Sequence, residues 1–214
     1  MIQKKLFYFN DLRECTYVLW DETREAIIVD PGCFTEREKQ RLANFIEEHE
    51  LKPVKLVNTH GHFDHVMGNR FVCDRWKVKT YIHPEDVAQL QRSKKYCEMF
   101  GYEIEEPYYD TLPLDESEPV TFGNSSLQVL YTPGHTRGGV SLYAKEDKFI
   151  LTGDSLFEGS IGRTDLPGGD YDALMDSLNN KIMKLDGDVE VFPGHGMPTT
   201  IAKERDTNPF VRGE

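Results

Sequence analysis

The string Thr59-His60-Gly61-His62-Phe63-Asp64-His65 sets three imidazoles and a carboxylate within six residues, directly behind the apolar run Val54-Lys55-Leu56-Val57-Asn58. That run reads as a strand, so four metal-type donors stand at its carboxyl end, on the rim of a sheet, where α/β proteins place their chemistry. Two histidines sharing one helical face would stand four residues apart. His60 and His62 are two apart, which reads as a loop. Three further apolar runs end in the same way. Leu127-Gln128-Val129-Leu130 leads into Tyr131-Thr132-Pro133-Gly134-His135-Thr136, Lys148-Phe149-Ile150 into Leu151-Thr152-Gly153-Asp154, and Val189-Glu190-Val191 into Phe192-Pro193-Gly194-His195-Gly196. Five of the seven histidines of the chain stand at such ends, two of them right behind Pro-Gly. A sheet protein with one ligand-rich edge accounts for this pattern.

Composition narrows the setting. The chain has 214 residues, 38% of them hydrophobic, which suits one layered domain with a sizeable core. A formal net charge of -12 disfavours a nucleic-acid partner, since proteins that grip phosphate backbones carry a basic face. The opening Met1-Ile2-Gln3-Lys4-Lys5-Leu6-Phe7-Tyr8-Phe9-Asn10 holds too short an apolar stretch for a signal-peptide core, and no segment has the length to span a bilayer. A cytoplasmic protein without a membrane partner is the expectation. Cys15, Cys33, Cys73 and Cys97 form no C-x-x-C pair and read as free thiols; Cys33, just past the turn Asp30-Pro31-Gly32, is assigned no chemistry.

Periodicity divides the chain into two βα halves, about 1–118 and 119–214, within a single domain. Strands are expected at Lys5–Phe9, Thr16–Trp20 and Ala26–Val29, followed by a helix that opens on a Thr35/Glu38 capping box and carries Leu42, Phe45 and Ile46 to about Glu50. Val66–Trp76 reads as a helix, Val78–Ile82 as a strand, and Pro84–Met99 as a helix entered through proline and acidic residues. In the second half, strands at Leu127–Tyr131, Val140–Tyr143, Phe149–Leu151 and Val189–Phe192 accompany a helix at Tyr171–Lys184. This suggests two sheets back to back with helices outside. The polar segment 94–118, with Tyr96, Tyr102, Tyr108 and Tyr109 among acidic residues, reads equally as a lid or as a surface excursion. His49 reads as solvated, His83 as a cap or surface residue, Trp20 and Trp76 as core, and Asp30 as an acceptor that ties down a turn.

Imidazole and carboxylate are ligands of zinc and also of iron and manganese. His60, His62, Asp64, His65, His135, Asp154 and His195 offer seven donor groups, more than the four one tetrahedral zinc takes, so a two-metal site follows if all point inward.

The strings His60-x-His62-x-Asp64-His65, Pro133-Gly134-His135-Thr136, Thr152-Gly153-Asp154 and Pro193-Gly194-His195-Gly196 together resemble those of the metallo-β-lactamase-fold hydrolases, and within them the glyoxalase II-like thioester hydrolases. The segment Gly159–Asp170 and the ending Thr199–Phe210 are similar to the short single-domain bacterial branch. The resemblance implies an α/β fold, a four-layer αββα sandwich. It allocates His60, His62 and His135 to one divalent ion, Asp64, His65 and His195 to a second, and Asp154 to both as a bridge, with zinc in first place and iron or manganese as alternatives. Asp64 would also orient a metal-bound hydroxide that attacks a small acyl thioester of the S-lactoylglutathione kind. Arg163, in a Gly-rich loop, resembles a basic residue that contacts the substrate; pairing with Asp165 or Asp170 is its structural alternative. Glyoxalase II proper continues into a helical glutathione-binding domain, which is not expected after Phe210. Two rivals remain on the same scaffold. One is a persulfide dioxygenase with one iron on His60, His135 and Asp154; the other is a non-catalytic sensor of metal or thiol compounds.

Overall fold

In the computed structural model, which describes residues 1–211, the backbone forms two compact units. One is Met1–Leu114 with Thr121–Ser126, the other Asp115–Val120 with the residues from Leu127 on.

The first unit is built on a six-stranded sheet whose spatial order follows the chain: β1 (Gln3–Phe9), β2 (Glu14–Trp20), β3 (Glu25–Val29), β4 (Lys52–Val57), β5 (Thr80–Ile82) and β6 (Leu112–Pro113). β1 to β3 pair antiparallel through short turns, and pairing is parallel from β3 onward. Parallel neighbours need a crossover. The crossovers are α1 (Glu36–Glu48), then α2 (Phe63–Val66) with α3 (Asn69–Trp76), then α4 (Val87–Met99). Every residue of β2 is buried, polar and apolar alike, as in a strand covered on both faces. Phe7, Phe9, Val18, Ile28, Leu42, Ile46 and Leu56 form the centre of this unit's core, with Trp20 buried beside them and Trp76 half-buried on its edge.

Local chemistry accounts for the element ends. α1 opens on the expected capping box, the Thr35 hydroxyl accepting from the Glu38 amide while the Glu38 carboxylate accepts from the Thr35 amide. It stops at Glu48 with His49 as its exposed cap. The helix expected over Val66–Trp76 is two helices, interrupted where the Gly68 amide donates to Pro31 O at 2.7 Å. The first starts inside the histidine string. His60 and His62 lie in a loop as expected, whereas Asp64 and His65 are on α2, an acidic residue in a first turn being favoured by the helix dipole. The Pro84 entry is a short 3₁₀ turn ahead of α4, capped by His83, whose Nδ1 accepts from the Glu85 amide.

The second sheet contains β7 (Val120–Phe122), β8 (Ser125–Tyr131), β9 (Val140–Ala144), β10 (Phe149–Gly153), β13 (Glu190–Pro193) and β14 (Thr199–Thr200), in spatial order β14-β13-β10-β9-β8-β7. β11 (Leu156–Phe157) and β12 (Ser160–Ile161) form a separate hairpin, and α5 (Tyr171–Asn180) makes the crossover from β10 to its parallel neighbour β13. α6 (Ile201–Thr207), which periodicity did not predict, follows β14. β9 and β10 are buried throughout, and Ile150, Leu156, Leu174, Leu178, Ile182, Val191 and Ile201 form the core of this unit. Among the described residues no helix is long and apolar enough to cross a membrane.

Candidate metal centre

Each unit gathers its own ligand set at the carboxyl ends of its strands. In the first, the loop after β4 turns back so that the His60 ring lies 4.8 Å from the His62 ring and 4.2 Å from the His65 ring, centroid to centroid. His65 Nε2 stands 3.7 Å from Asp64 Oδ2. All four side chains are buried or nearly so.

The ring orientations follow from one buried carboxylate. Asp30, 2% exposed at the end of β3, accepts at Oδ1 from the Thr59 amide and at Oδ2 from the Thr59 hydroxyl (2.6 Å) and from His65 Nδ1 (3.1 Å). Because the Thr59 hydrogen points to Asp30, its oxygen accepts from His60 Nδ1 at 3.1 Å. Both imidazoles thus carry their proton on Nδ1 and their lone pair on Nε2, the form a cation requires. Asp30, His60 and His65 bring their donor atoms within 4.8 Å of one another, yet both Asp30 oxygens are engaged in holding Thr59 and His65. Asp30 is therefore an orienting acceptor, the turn-tying role expected of it.

A second buried acid backs this arrangement. Glu14 is fully buried, accepts from the Thr16 hydroxyl at 2.8 Å and stands 3.9 Å from His65 Nδ1. Burial raises its carboxyl well above the usual range, with His65 opposing. Nothing in the sequence pattern marked Glu14. The Asp86 carboxylate, buried before α4, takes the Gly61 amide at 2.8 Å. Asn10, in the β1–β2 turn, donates through Nδ2 to the carbonyls of Gly32 and Asp64 at 3.1 and 3.0 Å.

In the second unit, His135 follows β8, Asp154 follows β10 and His195 follows β13. The Gly194 amide donates to Gly153 O at 2.7 Å, tying the ends of two parallel strands together. One oxygen, Asp154 Oδ2, faces both imidazoles, at 3.5 Å from His135 Nε2 and 3.7 Å from His195 Nε2. His135 Nδ1 lies 2.8 Å from Arg163 O, so this ring too presents its lone pair on Nε2. The Arg163 backbone is held there by Gly162, where a Cβ would stand 1.8 Å from Asp154 O. The Arg163 guanidinium instead grips Asp165 with two hydrogen bonds of 2.7 and 2.8 Å, both side chains mostly exposed, and the pairing holds the Asp165 carboxyl down at about 2. Of the two readings of this side chain, the structure displays the loop pairing.

The remaining candidates carry no chemistry. All four cysteines are buried and none is in a disulfide, and burial pushes the Cys33 thiol up and the Cys97 thiol up to about 12. The reactive thiolate form is disfavoured at both.

Comparison with known proteins identifies the family. The sequence pattern of the Metallo-beta-lactamase superfamily matches residues 12–195. The chain is 34% identical to hydroxyacylglutathione hydrolase GloC of Haemophilus influenzae, over 92% of either chain. Among solved structures it is similar to BLEG-1 B3 metallo-beta-lactamase (TM-score 0.88, 33% identity, covering 99% of this chain and 100% of the other). It is also similar to TTHA1623 in a di-iron-bound form (0.87, 34%, 96% and 99%) and to ETHE1 from Myxococcus xanthus (0.78, 26%, 98% and 84%). The fold class is the mixed α/β one expected from the sequence, and it is a fold that binds divalent metals. With its family pattern matched over most of its length and two sheets that each present a His/Asp cluster, the chain belongs to the metallo-β-lactamase superfamily.

Proposed function

We propose that the protein is a binuclear metal-dependent hydrolase that cleaves a small acyl thioester. In this reading His60, His62 and His135 hold one divalent ion, Asp64, His65 and His195 a second, and Asp154 serves both, zinc being the first choice and iron the alternative suggested by TTHA1623. The observation that carries it is the single oxygen of Asp154 facing two imidazoles, which suits a bridging carboxylate. A mononuclear dioxygenase, the reading that the likeness to ETHE1 favours, has no use for His195 at that oxygen.

The ions would lower the pKa of a shared water toward about 7 and polarise the scissile carbonyl. The chain's own contribution is to fix the ligands in one tautomer through Asp30, Thr59 and the Arg163 carbonyl, and to orient the nucleophile through Asp64. Arg163 would exchange Asp165 for a substrate carboxylate. Thioester chemistry rather than β-lactam cleavage is preferred on the likeness to hydroxyacylglutathione hydrolase GloC.

Elemental analysis of protein purified without added metal, paired with free-thiol release from a thioester panel, tests the reading. About two ions per chain and chelator-sensitive thiol release are expected. One iron per chain with oxygen uptake driven by glutathione persulfide would establish the dioxygenase, cleavage of nitrocefin alone a β-lactamase, and metal binding without turnover a sensor.

A further inference from the structure

α4 ends in a glycine cap of the Schellman type: the Tyr102 amide donates to Cys97 O at 2.8 Å and the Gly101 amide to Glu98 O at 3.1 Å, with Gly101 at φ +82. This turn presents two aromatic rings to the histidine string. Phe100 stacks on Phe63 with centroids 5.3 Å apart and planes at 14°, and Tyr102 packs edge-on to Phe34 at 5.2 Å and tilted to Phe63 at 6.3 Å. The Tyr102 hydroxyl reaches Asp11 in the same β1–β2 turn whose Asn10 holds the Asp64 carbonyl. Phe63 itself stands between the ligands His62 and Asp64. The strip is pinned at both ends, yet Phe100 is 65% and Met99 69% exposed. Large apolar side chains held in order against water are the mark of a contact surface.

From the continuity of this strip with the ligand string we infer that Phe63, Phe100 and Tyr102 form a platform for an apolar, preferably aromatic, group of the substrate. The inference rests on the hydrolase reading and narrows its substrate class. Exposed Asp11, which takes the Tyr102 hydroxyl, and Glu98 and Glu103, which flank Phe100 and Tyr102 in sequence, lie beside the platform. At physiological salt their field reaches about 8 Å, so the end of the substrate seated on the platform is an uncharged one, and a carboxylate of the kind Arg163 would hold belongs to its other end. The segment after α4 is then a fixed wall of the site, made rigid by its cap.

Phe100→Ala is the decisive variant, because the ring is mostly exposed and its loss leaves the core intact. Two thioester series are compared, one varying the acyl group from acetyl to phenylacetyl on a common thiol, the other varying the thiol from methyl to benzyl on acetate. Wild type should prefer the aromatic member in one series, which identifies the end that sits on the platform. Phe100→Ala should abolish that preference, a loss of about tenfold in kcat/KM for the aromatic substrate against less than twofold for the smallest. Metal content should stay unchanged.

Calorimetric binding of 4-phenylbutan-2-one and butan-2-one, ketones in which a methylene replaces the thioester sulfur so that neither is hydrolysed, separates the two levels of inference. If no thioester turns over but the aromatic compound binds more tightly and Phe100→Ala removes the difference, the hydrolase reading fails and the platform stands. If the variant changes neither preference nor binding, or if it only dissociates an oligomer in sedimentation, the platform inference is overturned.

Discussion

Asp30 shows how one side chain governs a site it does not enter. Its Oδ2 takes His65 directly and His60 through the Thr59 hydroxyl, so Asp30→Asn disturbs both rings while Thr59→Val disturbs only His60. Loss of such outer partners weakens metal binding by about 10- to 100-fold. Competition with a chromophoric chelator should therefore show two weakened ions in Asp30→Asn, one in Thr59→Val, and recovery in Thr59→Ser, which retains the hydroxyl. Equal affinities in all four proteins would refute the relay. Arg163 divides in the same way between backbone and side chain. Its carbonyl orients His135, and its exposed guanidinium sits on Asp165 in a solvent-screened pair, which a substrate carboxylate can displace. Arg163→Ala should keep its metal and raise KM roughly tenfold for a carboxylate-bearing thioester, the loss of one charge-assisted hydrogen bond, with a neutral thioester unaffected. A variant that loses metal would assign the side chain to the loop instead.

At the scale of elements, the ligand loops are held by helix starts as much as by strands. Glu38 caps α1 through Oε2, and its Oε1 accepts from the Asn10 amide at 2.7 Å, which couples the start of α1 to the turn that grips the Asp64 carbonyl. Thr35→Ala should cost about 1 kcal/mol, seen as a lower urea midpoint with an unchanged slope, because it removes only the cap. Glu38→Ala should in addition weaken metal binding, since it frees Asn10 as well. If the two variants bind metal equally, the β1–β2 turn does not depend on α1. On the other unit, the Thr199 hydroxyl, the Gly159 amide and the Asn208 amide group all donate to the buried Glu204, which joins α6 to the β11–β12 hairpin leading to Arg163. The short strands and α6 were not legible in the sequence, for two-residue strands and a seven-residue helix are too short to display a period.

For the molecule as a whole, the proposed set of seven ligands, drawn from four segments far apart in sequence, would tie bound metal to folding. A ligand present at 100 times its dissociation constant adds about 2.7 kcal/mol to stability, so chelator should lower the melting temperature and added zinc or manganese restore it. An identical melting curve with and without chelator would mean that the metal contributes nothing to the fold.

The sequence by itself determined that the seven proposed donors fall behind the apolar runs that become β4, β8, β10 and β13, and it determined the capping box of α1. These are local facts, readable from the alternation of apolar runs with Gly- and Pro-marked turns. Tertiary structure alone decided which nitrogen of His60, His65 and His135 carries its proton, that the Arg163 carbonyl and not its guanidinium meets His135, and that Phe100 stacks on Phe63. Each of these joins residues at least 28 positions apart, Asp30 with Thr59 and His65, His135 with Arg163, Phe63 with Phe100. Hydrogen-bond direction and ring stacking between such distant residues are set by how the sheet edges and helix ends come together, which no local pattern of residue types records.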